Sequence, residues 1–466
     1  MLAELAASVR EGRVSAKDLV GLAYERIERL NGDVNAVIAL RPEEEAVPEA
    51  ERRQASAPDS DAPLPLLGLP LLVKDNTDVA GMRTVNGSRL LQDVAPAERD
   101  ARVVERLRAA GAIVVGKTNV PEFSFLGFTD NAVFGPARNP WGLEWSPGGS
   151  SGGSGAALAA GMAPLATATD GGGSVRIPAA FCGLAGLKPT NGLVGRRPIP
   201  SWMDLTTEGP LAHTVADVRL LLDVMRGPEP GDIGAAPAWE PLAGRASRIV
   251  AAPRTFDWGP LPPAVEERYR AALESIERDL QLPVEEIDAA SIFTFGGDPG
   301  EDWFVLVSVE ELHLIGRDLV QANLAVLSPP FRSTMEYALS VSLERYVEAR
   351  RNRFEYARAM DELLGDETVF VCPTLGHEGW LADGTLPGTD GPAGSDGYNT
   401  GEANLTGHPA LSVPAGVSQN GIPFGLQVTG PRFRDDLVLA FGDAWEAANP
   451  WQPTAPGRAP FGIAAV

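Results

Sequence analysis
Serine is set in glycine twice in this chain of 466 residues: in Gly148-Gly149-Ser150-Ser151-Gly152-Gly153-Ser154-Gly155, and again in Thr169-Asp170-Gly171-Gly172-Gly173-Ser174-Val175-Arg176. Glycine permits backbone conformations and close approaches that a Cβ forbids, so such runs occur where main-chain N–H groups must point at something. Serine adds a nucleophile or a proton bridge. Together they describe an oxyanion site lined by backbone with a serine nucleophile, and that serine needs a base to take its proton. Lys74 is the candidate. Only four lysines (Lys17, Lys74, Lys117 and Lys188) stand among 39 basic residues, and arginine cannot serve as a base.

The elements that must position these groups are legible nearby. Leu69–Val73 is a short apolar run that reads as a buried strand delivering Lys74 at its end. Asp75 projects to the opposite side if the strand continues. Apolar stretches at Ala156–Leu165 and Val175–Leu187 flank the serine runs, which argues against a solvated Gly/Ser linker. An unperturbed lysine near pKa 10.4 is deprotonated in only about one molecule in a few thousand at pH 7, so the base requires burial away from carboxylates.

Other readings of the same residues exist. Gly148-x-Ser150-x-Gly152 and Gly149-x-Ser151-x-Gly153 both fit a nucleophile elbow, which needs a strand before the serine, a helix after it, and Asp and His downstream. Ala156–Met162 could supply the helix, but Trp141–Pro147 is a poor strand. His213, His313, His377 and His408 are the histidines available. Gly171–Gly173 lacks the Gly-Lys-Ser/Thr of a phosphate loop. A binding module without catalysis would have no need of Lys74, Ser150 and Ser174 together.

Further motifs follow in order: Gly68-Leu69-Pro70-Leu71-Leu72-Val73-Lys74-Asp75, Gly116-Lys117-Thr118-Asn119, Asn139-Pro140-Trp141, and Phe181-Cys182-Gly183-Leu184-Ala185-Gly186-Leu187-Lys188-Pro189-Thr190. Cys372-Pro373-Thr374, Asn404-Leu405-Thr406-Gly407-His408-Pro409-Ala410-Leu411-Ser412-Val413-Pro414 and Gly425-Leu426-Gln427 complete the series. With the serine runs, this order resembles the amidase signature family over nearly the whole chain. The resemblance implies an α/β fold: one large domain over residues 1–466, with a central mixed twisted sheet covered by helices on both faces. It also implies a Ser–cis-Ser–Lys triad. Ser174 would be the nucleophile, Ser150 the bridging serine after a cis peptide bond, and Lys74 the base. The N–H groups of Gly171, Gly172, Gly173 and Ser174 would hold the oxyanion. Ser151 would support the constellation, and Asp170 with Arg176 would pin the loop.

The resemblance implies hydrolysis of a carboxylic amide, or of a related aryl amide, ester or carbamate, through an acyl-enzyme. Within the family the nearest competitor is the glutaminase subunit of the tRNA-dependent amidotransferase. Arg353 matches an arginine that grips the substrate carboxylate there, whereas the matching aspartate falls near Gly397, with Asp396 adjacent. Gly171, where the family carries a larger residue, is expected to leave room beside the oxyanion donors, and Asn191 is a second departure. Residues 226–345 carry little of the family pattern and are expected to wall the pocket; Trp303, Phe304, His313 and Phe331 lie there.

Composition agrees with a large soluble enzyme: 44% hydrophobic residues supply a core, and a net charge of −23 disfavours nucleic acid or an anionic membrane as partner. Small-molecule substrates and a monomer or homodimer are expected. Cys182 and Cys372 suggest neither a disulfide framework nor a metal site, and no cofactor is expected. Met1–Leu30 reads as two amphipathic helical segments, unlike a signal peptide or a membrane span, so the cytoplasm is the default location. Ser15 with Asp18 marks a helix start. Helices are expected at Asp100–Ala110, Ala216–Met225, Pro263–Leu280 and Ser342–Leu364. Strands are expected at Ala112–Val115, Arg248–Ala252, Thr368–Cys372, Ala410–Val413 and Phe424–Val428. The stretches Glu43–Asp61 and Leu381–Gly397 read as exposed loops.

Overall fold
The computed structural model describes residues 1–59, 63–237, 242–255, 259–295, 297–387 and 398–462. Its frame is one sheet of eleven strands: β1 (Val37–Leu40), β2 (Pro70–Lys74), β3 (Ile113–Thr118), β4 (Leu165–Asp170), β5 (Ala185–Lys188), β6 (Thr207–Ala212), β7 (Arg248–Ala251), β8 (Val284–Glu286), β9 (Thr368–Pro373), β10 (Ala410–Val417) and β11 (Pro423–Thr429). Their order across the sheet is β1-β3-β2-β4-β6-β5-β10-β11-β9-β7-β8. β2 runs parallel to both β3 and β4, while β4–β6, β5–β6, β5–β10 and β10–β11 are antiparallel, so the sheet is mixed. Every residue of β2, β3 and β4 is buried, which is why β2 reads as an apolar run up to Lys74 and not as an alternation; β3 and β4 also enclose Lys117, Thr118, Thr167, Thr169 and Asp170.

Helices cover this sheet, and fourteen are found among the described residues. Gly152–Ala159 packs on β2 and β4, Arg176–Cys182 on β5, β10 and β11, and Asp435–Ala448 on β10. The main core is aliphatic and lies against the sheet. A smaller cluster joins the helices Pro299–Ile315 and Leu343–Leu364 through Val305, Leu306, Ala349 and Tyr356, and it reaches Trp202. The α/β class and the mixed sheet agree with the expectation from sequence.

Local signals explain the element ends. Ser15 caps the helix Ala16–Val34, accepting from Asp18 N at 3.1 Å, and Ser342 caps Leu343–Leu364 by accepting from Arg345 N at 3.2 Å. The helix expected over Pro263–Leu280 ends its α-helical part at Ser275 and closes in a π turn, Ile276–Leu280. One expectation fails outright: Glu43–Ser56 is a helix, not a loop. Ala46 and Ala50, spaced at i and i+4, are both fully buried under its polar exterior. Only two small side chains mark that inner face, so charge concealed it. Of the second expected loop, residues 388–397 lie outside the described residues; residues 381–387 form neither helix nor strand, with Ala382 buried and Asp383 exposed.

Candidate active site
β2 and β4 are parallel neighbours, so Lys74 and Asp170 both stand at carboxyl ends of adjacent strands, the edge of an open α/β sheet where ligands bind. Lys74 is completely buried. Its Nζ donates to Ser150 Oγ and to Thr169 Oγ1, each at 2.7 Å. Its backbone N–H donates to Thr167 Oγ1 at 2.8 Å, which ties β2 to β4 at this level. The Gly149–Ser150 peptide bond is cis. Ser150 then leads into the helix Gly152–Ala159, whose small side chains let it lie close to the sheet.

The second serine loop connects β4 to the helix Arg176–Cys182. Ser174 is half-buried, and its carbonyl accepts from Ser151 N at 3.3 Å, stitching the two serine loops together. Ser151 Oγ also donates to Thr169 O at 3.3 Å. Gly173 has φ +127°, a conformation that favours glycine. Asp170 organises this turn from below. Its Oδ1 accepts from Gly173 N at 2.7 Å and its Oδ2 from Val175 N at 3.2 Å. The Arg176 guanidinium clasps the same carboxylate through Nε at 3.0 Å and Nη2 at 2.9 Å. Asn404 and Gln427 extend this buried network, accepting from Arg176 at 2.7 and 2.8 Å.

That network alters the set of candidate oxyanion donors. The Gly173 N–H, expected to face substrate, is taken by Asp170. Among the described residues the N–H groups of Gly171, Gly172 and Ser174 have no hydrogen-bond partner, which leaves these three available. Their carbonyl sides are fixed: Trp303 Nε1 donates to Gly171 O at 2.9 Å and Thr400 Oγ1 to Gly172 O at 2.6 Å.

Electrostatics follow burial. Desolvation pushes Lys74 down from 10.5 to about 7, against the pull of Glu208 and Asp170. The expectation of a site free of carboxylates was therefore incomplete. Glu208 on β6 pairs with Thr169 on β4, and burial raises its carboxyl to about 7. Asp170 goes the other way, to about 2, because Arg176 and its hydrogen bonds outweigh desolvation. Asp75 turns away from Lys74, as expected, and pairs with Lys117 at 3.1 Å.

The two serines open on a cavity of about 430 Å³. Ser150, Thr169, Gly171 and Ser174 form its floor, and Phe123, Trp202, Glu311, Leu314, Ile315 and Leu319 are among its walls. The last four belong to the 226–345 segment, which thus contributes a wall as expected. Trp303 bonds Gly171, whereas Phe331 is core and His313 is exposed.

Two expectations do not fit this geometry. Gly171 leaves no spare room, because a Cβ there would lie 2.4 Å from Trp202 Cε3 and 2.7 Å from Thr206 Oγ1. The missing side chain is replaced by an indole. Arg353 does not reach the cavity; it donates to Leu405 O at 2.6 Å and Asp204 O at 2.7 Å and borders a separate depression. Asp396 and Gly397 lie outside the described residues. None of the four histidines lines the cavity, and residues 141–147 form no strand. Sequence reading passed over Thr169, Trp202 and Glu208. Thr169 sat within a quoted motif, but nothing in its type signalled a contact to Lys74.

Comparison with known proteins agrees with the fold. The family model described as Amidase matches residues 18–295 and 308–439. An acylamidase of Rhodococcus erythropolis is 32% identical, with 97% of this chain and 96% of that protein aligned. A glutamyl-tRNA(Gln) amidotransferase subunit of Cyanothece sp. is 34% identical, covering 95% of this chain and 96% of that one. Among solved structures, a bacterial aryl acylamidase of the amidase signature enzymes superimposes with a TM-score of 0.86 at 25% identity, covering 97% of this chain and 96% of the other. The chain belongs to the amidase signature family, whose members are hydrolases acting on C–N bonds.

Proposed function
We propose that the protein hydrolyses uncharged or cationic carboxylic amides, aryl amides included, through an acyl-enzyme on Ser174, with esters and carbamates as related substrates. The observation that carries this reading is the buried Lys74–Ser150 hydrogen bond of 2.7 Å beneath a cavity that also exposes Ser174. Lys74 with a pKa lowered to about 7 is substantially neutral at neutral pH. It takes the Ser150 proton as Ser150 Oγ takes that of Ser174, and Ser174 Oγ attacks the carbonyl carbon. The oxyanion is held by the N–H groups of Gly171, Gly172 and Ser174, a contribution of about 3–4 kcal/mol per donor. Collapse returns the proton through Ser150 to the departing nitrogen. Water then attacks the acyl-enzyme along the same relay and frees the acid.

Thr169 gives the lysine a second fixed partner at 2.7 Å, so the amine keeps one orientation while its proton count changes. The cavity wall also separates this reading from its competitors. It carries Asp78 and Glu311 but no Lys, Arg or His among the described residues, so nothing there matches the carboxylate of glutamine. The lack of a lining histidine leaves a Ser-His-Asp mechanism without its base. A panel of acyl p-nitroanilides, a small carbamate and glutamine tests the proposal. Turnover of the anilides with no ammonia released from glutamine is expected; the reverse pattern would overturn it.

A further inference from the structure
Glu311 is an acid without a counter-cation in the wall of the catalytic cavity. It sits near the end of the helix Pro299–Ile315 and is only 4% exposed. One carboxylate oxygen accepts from Ser201 Oγ at 2.6 Å. Among the described residues no Lys, Arg or His pairs with it. Its neighbour in sequence, Glu310, has taken the available partners: Tyr346 Oη at 2.9 Å, Met203 N at 2.9 Å and Arg350, which also binds Asp204. A buried carboxylate is normally paired, because desolvating a lone charge is expensive. The pairing partner is missing from the protein at the one place where a substrate arrives.

The rest of the wall suits a cation on an apolar stem. Trp202 and Phe123 present aromatic rings to the same cavity, and an ammonium is attracted to the electron-rich face of such a ring. Trp202 directly follows Ser201, whose hydroxyl donates to Glu311, and both Trp202 and Glu311 line the cavity, so ring and acid stand at the same end of it. Asp78 adds a second negative charge, and no basic side chain lines the wall among the described residues. At the mouth, Ile199, Leu314 and Leu319 are 39%, 63% and 49% exposed, a rim that would contact an apolar segment.

We propose that Glu311 is a specificity-determining residue that receives a protonated amino group, so that the preferred substrates are amides carrying an ammonium on an apolar aryl or alkyl segment. This deepens the amidohydrolase reading of the same cavity. Burial raises the Glu311 carboxyl to about 7. The arriving cation therefore draws the group to its charged form, and Ser201 holds that form in place.

Calorimetry on the Ser174→Ala protein tests this without turnover, using phenylpropylamine and its neutral isostere phenylpropanol at mildly alkaline pH. The amine is expected to bind at least about tenfold more tightly, a difference of about 1.4 kcal/mol. Adding Glu311→Gln should bring the two ligands to parity. Equal binding to the parent protein would overturn the proposal, whether or not the double variant folds. A preference that survives Glu311→Gln would also overturn it, by assigning the cation to Asp78 or Trp202. Because binding is read directly, a negative result strikes Glu311 alone, whereas failure to hydrolyse neutral anilides strikes the amidase reading.

Discussion

At the scale of single residues, the account rests on a proton path of three side chains. Ser174→Ala should abolish amide turnover. Ser150→Ala and Lys74→Ala should each lose roughly a thousandfold or more in kcat, since residues acting as one unit fail together. His408→Ala should keep most activity: His408 is buried against Asp361 at 3.2 Å and does not line the cavity. Steady-state kinetics on a p-nitroanilide checks all four; a dead His408 variant beside an active Lys74 variant would transfer the case to a nucleophile elbow. The pH dependence has a definite sign. A base whose pKa is lowered to about 7 is inactive below that value and active above it. kcat/KM should therefore rise through about pH 7 and level off, far below the rise that an unshifted lysine would give. Lys74→Arg should be inactive throughout because guanidinium does not deprotonate. Gly171 illustrates how a steric argument changes once neighbours are visible. The sequence suggested extra substrate room, but a threonine there would meet the Trp202 indole at 2.4 Å. Gly171→Thr should thus lower kcat/KM on small and large amides alike, by shifting the loop that presents the oxyanion donors. A loss confined to bulky substrates would restore the pocket-size reading.

The elements matter through what they hold still. Asp170 closes β4, fixes two backbone N–H groups of the serine loop and pairs with Arg176, all without solvent. Asp170→Asn leaves the Arg176 charge buried with only neutral partners, so unfolding by urea should show a loss of about 3–5 kcal/mol. A shift below about 0.5 kcal/mol would mean that the pair is dispensable. Much of this architecture was legible in sequence. The strand that delivers Lys74, the helices Arg102–Ala109, Val215–Met225 and Leu343–Leu364 and the C-terminal strands follow from apolar runs and caps, whereas the helix Arg176–Cys182 read only as part of an apolar stretch. Legibility failed where partners come from afar. The Glu43–Ser56 helix hides its two buried alanines among charges. Arg353 kept the right position in the chain, yet Asp204 and Leu405 hold it away from the cavity. Trp202 occupies the space that Gly171 vacates, a packing relation that spacing does not encode.

At the scale of the whole molecule, the eleven-stranded sheet provides the edge that holds the serines and Lys74, and the helices Pro299–Ile315 and Arg317–Asn323 supply part of the cavity wall. The chain is similar over nearly its whole length to both an acylamidase and an amidotransferase subunit, so likeness alone does not choose between their substrates. The wall explains why the substrate must be sought in its own charge pattern. No helix among the described residues is long and apolar enough to cross a membrane. The central claim is that Ser174 carries the acyl group while Lys74 and Ser150 move the proton. Rapid acid quenching during turnover of an activated acyl substrate, followed by peptide mass spectrometry, tests it most directly. The account predicts one acyl adduct, on the peptide bearing Ser174, and its absence in Ser174→Ala. An adduct on Ser150 or elsewhere, or turnover by Ser174→Ala at the parent rate, would contradict it.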